Sequence, residues 1–519
     1  MLALMMGSVC QAEDITIRYN GAMAKVTQQK KDSVNVTVDG AKVNIVSLYQ
    51  GHKLTLRLTG KSDDGQLVLK TAGKAKVTLD GLTLTSQEGA PLDLKNKKKV
   101  EIVAAKGTEN TLTITACNDT ANHKAATIWA KDKLLLSGNG TLNIVATGDG
   151  CRGIKTKKDI TIEDLTLNVT TSGNNLGEKP FGFGDGGFPG GGMPDFGGGG
   201  FPDFGGGMPD FGGGGFPGGG FPGGGFPPFG NDSIRRGGFP GGGMPDFGGG
   251  GFPGGGFPGF GGMHPEENDS TDEGGFGGFG GGFGGKHKYV ASTKGIASKG
   301  KITINSGNVT VRTSTPGAEG IEGKGGVVFN GGNIDVMTPD DAINANATIE
   351  FNGAHVIARS STNDAVDSNP KGGFFMPFGG NNNQDTDPAI IIRGGTVYAW
   401  SQVGSPEEGL DCDFAPLVIE GGTIFSVGGG MGEMPSVPSN EDAKQPTALL
   451  LGLNIVKNEP VYIYDGNGKL IDTVTIPFSL RRSASLVGSP AFKVGNTYTV
   501  KTKGYEKTFT LNEPFTAVR

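Results

Sequence analysis

Four short motifs in the second half of the chain place acidic side chains at a repeated spacing. Each has an acid, a small residue, an aliphatic residue and then a second acid or its amide. The aliphatic residues are 22 residues apart from Ile321 to Ile343, 23 from Ile343 to Val366 and 44, about two steps, from Val366 to Leu410. A fixed period of this size indicates stacked structural repeats. The motifs are Glu319-Gly320-Ile321-Glu322, Asp341-Ala342-Ile343-Asn344, Asp364-Ala365-Val366-Asp367 and Glu408-Gly409-Leu410-Asp411.

Stacking would place each acidic motif about 4.8 Å above the previous one. Carboxylates at that spacing repel one another, and Ca²⁺, a hard cation that takes about six to eight oxygen ligands, would neutralise them. The alternative is a structural ladder of polar side chains that hydrogen-bond along the stack without metal. The candidate metal ligands are Glu319, Glu322, Asp340, Asp341, Asn344, Asp364, Asp367, Glu408, Asp411 and Asp413.

The segments between the motifs predict short β-strands joined at glycine corners. Residues 327–336 read Val-Val-Phe-Asn-Gly-Gly-Asn-Ile-Asp-Val, and residues 389–398 read Ala-Ile-Ile-Ile-Arg-Gly-Gly-Thr-Val-Tyr. β-branched runs favour strands, and glycine permits the positive φ of a sharp corner. The same strand and corner pattern fills residues 61–176 without a competing helical period. The prediction is an all-β parallel β-helix, a type of solenoid.

Changes in composition along the chain predict its domain organisation. The block at residues 177–285 is built from Phe-Pro-Gly and Met-Pro-Asp-Phe units. Without a strand pattern it is predicted to be a disordered insertion that loops out of one coil. The predicted segments are a partial signal peptide at 1–12, an N-terminal β cap at 13–60, the first part of the β-helix at 61–176, the low-complexity Gly/Phe/Pro insertion at 177–285, the second part with the acidic ladder at 286–430, a linker at 431–445 and a small C-terminal β module at 446–519.

Composition and charge narrow the class of partner and the location. The net charge is −6, and the 46 basic residues form no Arg-rich run, so no nucleic-acid partner is expected. No stretch approaches the roughly 20 apolar residues of a membrane span. The apolar start followed by small residues predicts export to the medium or the cell surface, with Cys10 as an alternative lipid-attachment site.

The remaining cysteines are Cys117, Cys151 and Cys412. Their number and scatter do not indicate a disulfide framework or a zinc site. Cys117 and Cys151 are candidates to meet on neighbouring coils, but buried free thiols are the favoured interpretation.

Two aromatic residues are candidates for contact with sugar rings. Tyr398 and Trp400 alternate with Val397 and Ala399, so they share the outer face if the small pair points inward. An exposed aromatic platform can stack on the apolar face of a sugar. Packing of both rings in the core or against a cap is the alternative.

Three basic residues are candidates for glycan contact or for a lyase reaction. In calcium-assisted elimination, a base removes the proton next to a uronate carboxylate. Lys294 and Lys324 lie beside the acidic ladder and are the candidates for the base, with Arg359 in an assisting role. A solvated surface lysine is the favoured alternative. The sequence contains no nucleophile-elbow motif.

Several motifs together resemble one family. They are Gly295-Ile296, Gly320-Ile321-Glu322 and Asp340-Asp341-Ala342-Ile343, combined with the Gly/Phe-rich insertion. The chain over residues 13–430 resembles the bacterial carbohydrate-binding-domain-containing family of right-handed parallel β-helices, which are similar in fold to pectate lyases and bind calcium and plant polysaccharides such as cellulose and pectin. The resemblance implies calcium at Asp340, Asp341, Asp364, Asp367, Glu408 and Asp411, with Asn344 in place of an expected carboxylate.

The sequence therefore predicts an exported, calcium-binding β-helix that binds polysaccharide of the plant cell-wall type or another acidic glycan. A calcium-dependent polysaccharide lyase acting on uronate-containing glycans is the enzymatic alternative. A structural surface protein or adhesin, in which the insertion is the functional part, is the third. Enzymatic activity is left open, with a binding role favoured.

Overall fold

The structure, a computed structural model, describes residues 14–29, 34–48, 53–118, 125–179, 288–369, 389–412, 415–429 and 435–519, together with residues 50 and 387. The predicted signal peptide, nearly all of the predicted insertion and part of the predicted linker fall outside these residues. The described residues belong to one compact unit, and all their regular secondary structure is β. Within them, no helix is long and apolar enough to cross a membrane.

Two hairpins begin the sheets. β1 (Ile15–Asn20) pairs antiparallel with β2 (Met23–Gln28), and β3 (Val34–Asp39) pairs antiparallel with β4 (Lys42–Ser47). Parallel pairing then starts, from β1 to β5 (Leu54–Ser62) and from β4 to β6 (Gln66–Thr71). β3 is an edge strand of its sheet, and the hairpin leaves only this six-residue edge unpaired at that end.

From β9 to β33 the strands recur in sets of three, and most strands pair in parallel with the equivalent strand of the next set. For example, β20 pairs with β23, β21 with β24 and β22 with β25. The strands are β7 (Ala75–Ser86), β8 (Leu92–Leu94), β9 (Val100–Ala104), β10 (Glu109–Ile114), β11 (Ala126–Ala130), β12 (Leu134–Ser137), β13 (Thr141–Ala146), β14 (Arg152–Thr156), β15 (Ile160–Ile162), β16 (Thr166–Thr171), β17 (Leu176–Lys179), β18 (Lys288–Ala291), β19 (Lys294–Ser298), β20 (Ile302–Ile304), β21 (Asn308–Thr313), β22 (Glu319–Gly323), β23 (Val327–Phe329), β24 (Asn333–Thr338), β25 (Ile343–Ala345), β26 (Ile349–Phe351), β27 (His355–Ser360), β28 (Val366–Ser368), β29 (Ile390–Ile392), β30 (Thr396–Ser401), β31 (Leu410–Asp411), β32 (Leu417–Ile419) and β33 (Thr423–Gly428).

The sets build two long sheets. One has 23 strands, and the other has 11, in the order β3-β4-β6-β8-β11-β14-β19-β22-β25-β28-β31. β17 and β18 form a separate antiparallel pair between β16 and β19. This all-β arrangement of parallel strands in long sheets is compatible with the predicted β-helix or solenoid.

The core consists of aliphatic side chains stacked from coil to coil. One such stack follows the register of the short strands and is at most 1% exposed along its length. Phe329 and Phe351 stack in neighbouring coils with ring centroids 5.1 Å apart. A parallel register places equivalent residues of neighbouring strands on the same face, so an apolar residue must recur at the equivalent position to keep that face buried. The stack contains Ile160, Ile302, Val327, Ile349, Ile390 and Leu417.

Glycine corners separate the strands as predicted. Gly307, Gly332, Gly395 and Gly422 have φ between 81° and 102°, a region that other residues rarely adopt. A Cβ at Gly395 would also lie 2.2 Å from the carbonyl oxygen of Ala354 in the coil below. This corner therefore requires glycine for two reasons.

The last residues form a β module that packs on the end of the 23-stranded sheet. β34 and β37 pair antiparallel, and β37 also pairs with β33. The hairpin predicted around residues 461–471 is confirmed, and Asp465 Oδ1 accepts hydrogen bonds of 2.9 Å from the backbone N–H of Asn467 and of Lys469 in its turn. The strands are β34 (Thr447–Ile455), β35 (Pro460–Asp465), β36 (Leu470–Thr475), β37 (Leu480–Gly488), β38 (Thr497–Thr502), β39 (Tyr505–Thr510) and β40 (Phe515–Val518).

The structure holds Cys117, Cys151 and Cys412 as thiols. Cys151 and Cys412 are buried, and Cys117 is half-buried and packs against Cys151. Burial raises the pKa of the Cys151 thiol to about 12, so this side chain behaves as a small core residue.

Candidate functional site

The acidic motifs stack on successive strands of the 11-stranded sheet, β22, β25, β28 and β31. The register aligns Glu322 with Asn344, Asn344 with Asp367, and Asp367 with Asp411. The predicted stacking of the motifs is therefore confirmed. The same register continues back through β19 and β14. We call the aligned residues the trailing column: Lys155, Ala297, Glu322, Asn344, Asp367 and Asp411.

A second column lies three residues earlier in each motif. Lys294 is aligned with Glu319. The backbone N–H of Gly320 donates a hydrogen bond of 2.9 Å to the carbonyl of Asp341, and that of Ala365 donates one of 3.0 Å to the carbonyl of Glu408. This set is the leading column: Arg152, Lys294, Glu319, Asp341, Asp364 and Glu408.

The first two coils of these columns are basic, which the sequence analysis missed. Residues 152–155 read Arg-Gly-Ile-Lys and residues 294–297 read Lys-Gly-Ile-Ala, which is the acidic motif with its charge changed. The signal was present, but the insertion separates the aligned residues Ile154 and Ile296 by 142 positions. The small second residue has a steric cause, because a Cβ at Gly295 would lie 2.4 Å from Val311 Cγ1.

Lys294 is a buried cation between two glutamates. Its Nζ lies 3.0 Å from Glu319 Oε2 and 2.8 Å from Glu322 Oε1, and the three side chains are 8%, 17% and 8% exposed. Burial alone would lower the pKa of Lys294, but the two carboxylates outweigh it and raise that pKa. Lys294 therefore stays protonated, which is the opposite of what a general base needs.

The pKa values of the two glutamates shift in opposite directions. Burial raises the pKa of Glu319 to about 7, against the opposing charge of Lys294. Burial also acts on Glu322, but Lys294 and then Lys324 lower the pKa of that carboxyl. The ionised form is therefore favoured more strongly at Glu322 than at Glu319.

The later coils carry buried carboxylates without a basic residue in either column. Asp341, Asp364 and Asp367 are 3%, 6% and 4% exposed. Burial, followed by the charges of Asp411 and Asp341, raises the pKa of Asp364 well above its usual range. Burial and neighbouring like charges therefore disfavour the ionised form of Asp364.

Polar contacts hold the carboxylates in position. Asn344 Nδ2 donates to Asp341 Oδ2 at 2.8 Å and to Asp367 Oδ2 at 3.2 Å, so it bridges the two columns. The backbone N–H of Glu408 donates to Asp364 Oδ1. Asn363 Nδ2 donates to Asp340 Oδ1 at 2.6 Å, which places Asp340 beside the leading column.

The donor set suits a hard cation, because it consists of carboxylate and amide oxygens. A cation beside Asp364 would favour the ionised form that burial and the neighbouring aspartates disfavour. Across the described ranges, however, no group of three or more His, Cys, Asp or Glu side chains has the spacing of a formed metal site. Asp413 lies outside the described residues. Calcium at this site remains a prediction.

The predicted aromatic pair lies elsewhere, on β30 of the 23-stranded sheet. Tyr398 and Trp400 share one face and stack with centroids 5.7 Å apart and planes 16° apart. The exposed platform is wrong for Trp400, which is 3% exposed and donates from Nε1 to the carbonyl of Phe425 at 3.0 Å. Tyr398 OH donates to Asp472 of the C-terminal module at 3.3 Å. The alternative of packing against a cap describes this pair.

The three basic candidates are divided between the two sheets. Lys294 is buried in the leading column, so the expected solvated surface lysine is wrong there. Lys324 follows β22 and influences Glu322. Arg359 lies on β27 of the 23-stranded sheet and forms an ion pair with Asp335. Arg359 and the aromatic pair are therefore not brought to the columns.

Comparison with known proteins gives a family match over two segments of the chain. The model of one family matches residues 39–181 and 261–367. That family is the carbohydrate-binding domain-containing proteins. Both matched segments precede the C-terminal module, and the second reaches the motif at Asp364.

A curated relative and a solved structure are also similar to this chain. A carbohydrate-binding domain-containing protein of Acetivibrio thermocellus is 28% identical over 151 residues, which is 28% of this chain and 50% of that protein. The chain thus matches half the length of this relative. A solved structure, the polysaccharide lyase-like protein from C. thermocellum as a gadolinium derivative, is 17% identical, with a TM-score of 0.36 over 66% of this chain and 90% of that one.

Proposed function

We propose that this protein is an exported right-handed parallel β-helix that binds acidic polysaccharide through calcium held by the acidic part of the two columns. The observation that carries the proposal is the stack of buried carboxylates around Asp364, whose pKa is raised by burial and by neighbouring aspartates. The match to the carbohydrate-binding domain-containing family supports the polysaccharide partner.

Repulsion between buried carboxylates favours a bound cation in the later coils. Two unit charges at about 4 Å interact by about 4 kcal/mol at the effective dielectric of a protein surface. Lys294 offsets this repulsion in the coil of Glu319 and Glu322. Burial and the charges of Asp411 and Asp341 raise the pKa of Asp364, so a divalent ion beside Asp364 would stabilise its ionised form.

The residues that would hold calcium are the oxygen donors of the last three coils, namely Asp341, Asn344, Asp364, Asp367, Glu408 and Asp411. Asn344 and Asp411 are half-buried, which leaves part of the trailing column open to solvent. A bound calcium supplies positive charge that can attract the carboxylates of a uronate-containing glycan. The side chains of this chain would fix the position of that charge through the contacts of Asn344 and Asn363.

Isothermal titration calorimetry of calcium into the full chain, after treatment with a chelator, tests the site. We expect saturable binding that the Asp341→Asn/Asp364→Asn variant loses by at least about tenfold, since two negatively charged ligands become neutral. A matched control is Asp63→Asn/Glu441→Gln, which removes two exposed acids outside the columns and should bind calcium normally. If the full chain does not bind calcium, or if both variants bind it equally, the proposed metal site is wrong.

Polygalacturonate binding tests the polysaccharide step. We expect the full chain to bind it with calcium present and to release it when chelator is added. The Asp341→Asn/Asp364→Asn variant should bind weakly in either condition. Strong binding in chelator would mean that the columns do not mediate glycan recognition.

A further inference from the structure

The outer face of the C-terminal four-stranded sheet carries an aromatic pair that lies outside the hydrophobic core. The sheet has the order β36-β35-β38-β39. Along β35, Val461 and Ile463 are buried against the core of the module, while Tyr462 and Tyr464 point to the opposite face and are half-buried. This alternation leaves both tyrosines on the solvent side of the sheet.

The two rings present one surface. Tyr462 and Tyr464 have ring centroids 6.0 Å apart and planes 29° apart. Tyr464 has one neighbour on each adjacent strand. Leu470, which is 48% exposed, lies beside it on β36, and Thr499 lies beside it on β38. Leu470 and the two tyrosine rings therefore form an apolar patch on this face.

The surroundings of the rings are polar but locally neutral. Lys501 lies opposite Tyr462 and pairs with Glu506, with Nζ 3.0 Å from Oε2 and both side chains more than half exposed. Thr499 and Thr508 exchange a hydroxyl contact of 2.9 Å on the next level of the face. Hydroxyls and a self-neutralised ion pair are complementary to an uncharged, hydroxyl-rich ligand rather than to a polyanion.

We propose that this face, the Tyr462/Tyr464 platform, binds a neutral polysaccharide chain of β-linked pyranose units. The apolar C–H faces of pyranose rings stack on tyrosine rings, and the exposed hydroxyls of the face meet the sugar hydroxyls. The platform lies outside the matched segments 39–181 and 261–367 and shares no residue with the two columns. It therefore stands independently of the calcium proposal and gives the protein a second glycan site.

Affinity electrophoresis and calorimetry of the full chain in chelator, with cellohexaose as the probe, test the platform. We expect binding without calcium and a loss on the order of tenfold or more in Tyr462→Ala/Tyr464→Ala, as for other flat ligands on aromatic side chains. Tyr462→Phe/Tyr464→Phe keeps both rings and should retain most of the affinity. Met23→Ala, at an exposed apolar residue near the N-terminus, is the control for general loss of apolar surface.

The outcomes separate this proposal from the calcium proposal. Calcium-dependent polygalacturonate binding should be unchanged in the alanine variant, whereas cellohexaose binding should be unchanged in Asp341→Asn/Asp364→Asn. Equal affinity of the alanine variant and the native chain for cellohexaose overturns the platform, as does absence of any binding. A face that binds polygalacturonate in chelator, or that drives self-association removed by the alanine variant, also overturns the assignment to a neutral glycan.

Discussion

The surroundings of Lys294 show how positive and negative side chains are paired within the columns. It is a nearly buried ammonium within 3.0 Å of two carboxylates, and it occupies the leading column where the next coils have acids. A lysine here performs internally what a bound cation would perform in the coils of Asp341 and Asp364. The difference between the coils is therefore one of charge, with the backbone pattern unchanged.

Removing this ammonium should destabilise the fold. Lys294→Met leaves Glu319 and Glu322 buried together, and breaking a buried ion pair on one side costs about 3–5 kcal/mol. The urea midpoint of the full chain at pH 7.5 measures the effect. Lys294→Met/Glu319→Gln/Glu322→Gln should recover most of it. Lys444→Met removes an exposed partner of Glu420 and should cost less than about 1 kcal/mol; equal losses in both lysine variants would contradict the buried-cation role.

Glu319 gives the columns a pH dependence. Its pKa is raised to about 7, mainly by burial, with Lys294 opposing and Glu322 and Asp340 adding to it. A raised carboxyl pKa gives stability that is present below the usual pKa of about 4.5 and is lost as pH rises through about 7. In chelator, Glu319→Gln should therefore be more stable than the native chain at pH 8 by roughly 1–3 kcal/mol.

Urea midpoints measured at pH 5 and at pH 8 check this expectation. The native chain should lose stability between the two values, and Glu319→Gln should lose less. Glu350→Gln, which removes a partner of Arg393 on the other sheet, serves as the control and should keep the native slope. An unchanged slope in Glu319→Gln would show that another group titrates in this range.

Residue types in the acidic motifs were enough to predict which side chains stack, because a parallel register follows from a repeated pattern. Burial was not predictable from those residues. Lys294 was expected at the surface, and Trp400 was a candidate for an exposed platform with packing in the core or against a cap as the alternative; both are almost fully enclosed. The C-terminal module encloses Trp400. The sequence around residue 400 contains no local pattern that predicts a contact with residues after 445.

At the scale of the elements, the glycine corners fix where each strand ends. Strands and corners were predictable because β-branched runs and Gly-Gly steps are local signals. The basic strands β14 and β19 were not recognised as part of the columns, because the insertion hides their spacing. Their Arg-Gly-Ile-Lys and Lys-Gly-Ile-Ala patterns show that the backbone repeat is kept while the charge changes.

Gly395 should be far less tolerant of substitution than another glycine of the same backbone type. Gly81 also has a positive φ, of 68°, but nothing lies within 4 Å of its added Cβ, whereas a Cβ at Gly395 would meet a backbone oxygen at 2.2 Å. Gly81→Ala should cost about 1–2 kcal/mol through φ alone. Gly395→Ala should cost several kcal/mol more in thermal or urea unfolding, and equal costs would contradict the close coil contact.

At the scale of the whole molecule, the two columns form a charge gradient. They begin with Arg152 and Lys155, pass through Lys294 and its two glutamates, and end in the carboxyl groups of Asp364 and Asp411. A cation should therefore concentrate at the acidic end. The neutral Tyr462/Tyr464 platform belongs to a different sheet, so acidic and neutral glycans would be bound by separate parts of the chain.

The long insertion enters this molecule at a point where the backbone can be closed without it. β17 and β18 pair antiparallel, with Lys179 aligned to Lys288, and coils on either side of the insertion pair directly through β15 with β20 and β16 with β21. Replacing residues 180–287 with a two-residue Asn-Gly turn should therefore complete a short hairpin. A shorter loop also has a lower closure entropy, so the variant should unfold at a urea concentration no lower than the native chain.

The same variant tests where the glycan sites are. If the columns and the Tyr462/Tyr464 platform bind glycans, the shortened chain should bind calcium, polygalacturonate and cellohexaose as the native chain does. The natural control is a circular dichroism spectrum dominated by β-structure in both proteins. Loss of polygalacturonate and cellohexaose binding with retained folding and calcium binding would assign glycan recognition to the insertion, as the adhesin alternative requires, because the coils and the platform would then be intact but insufficient.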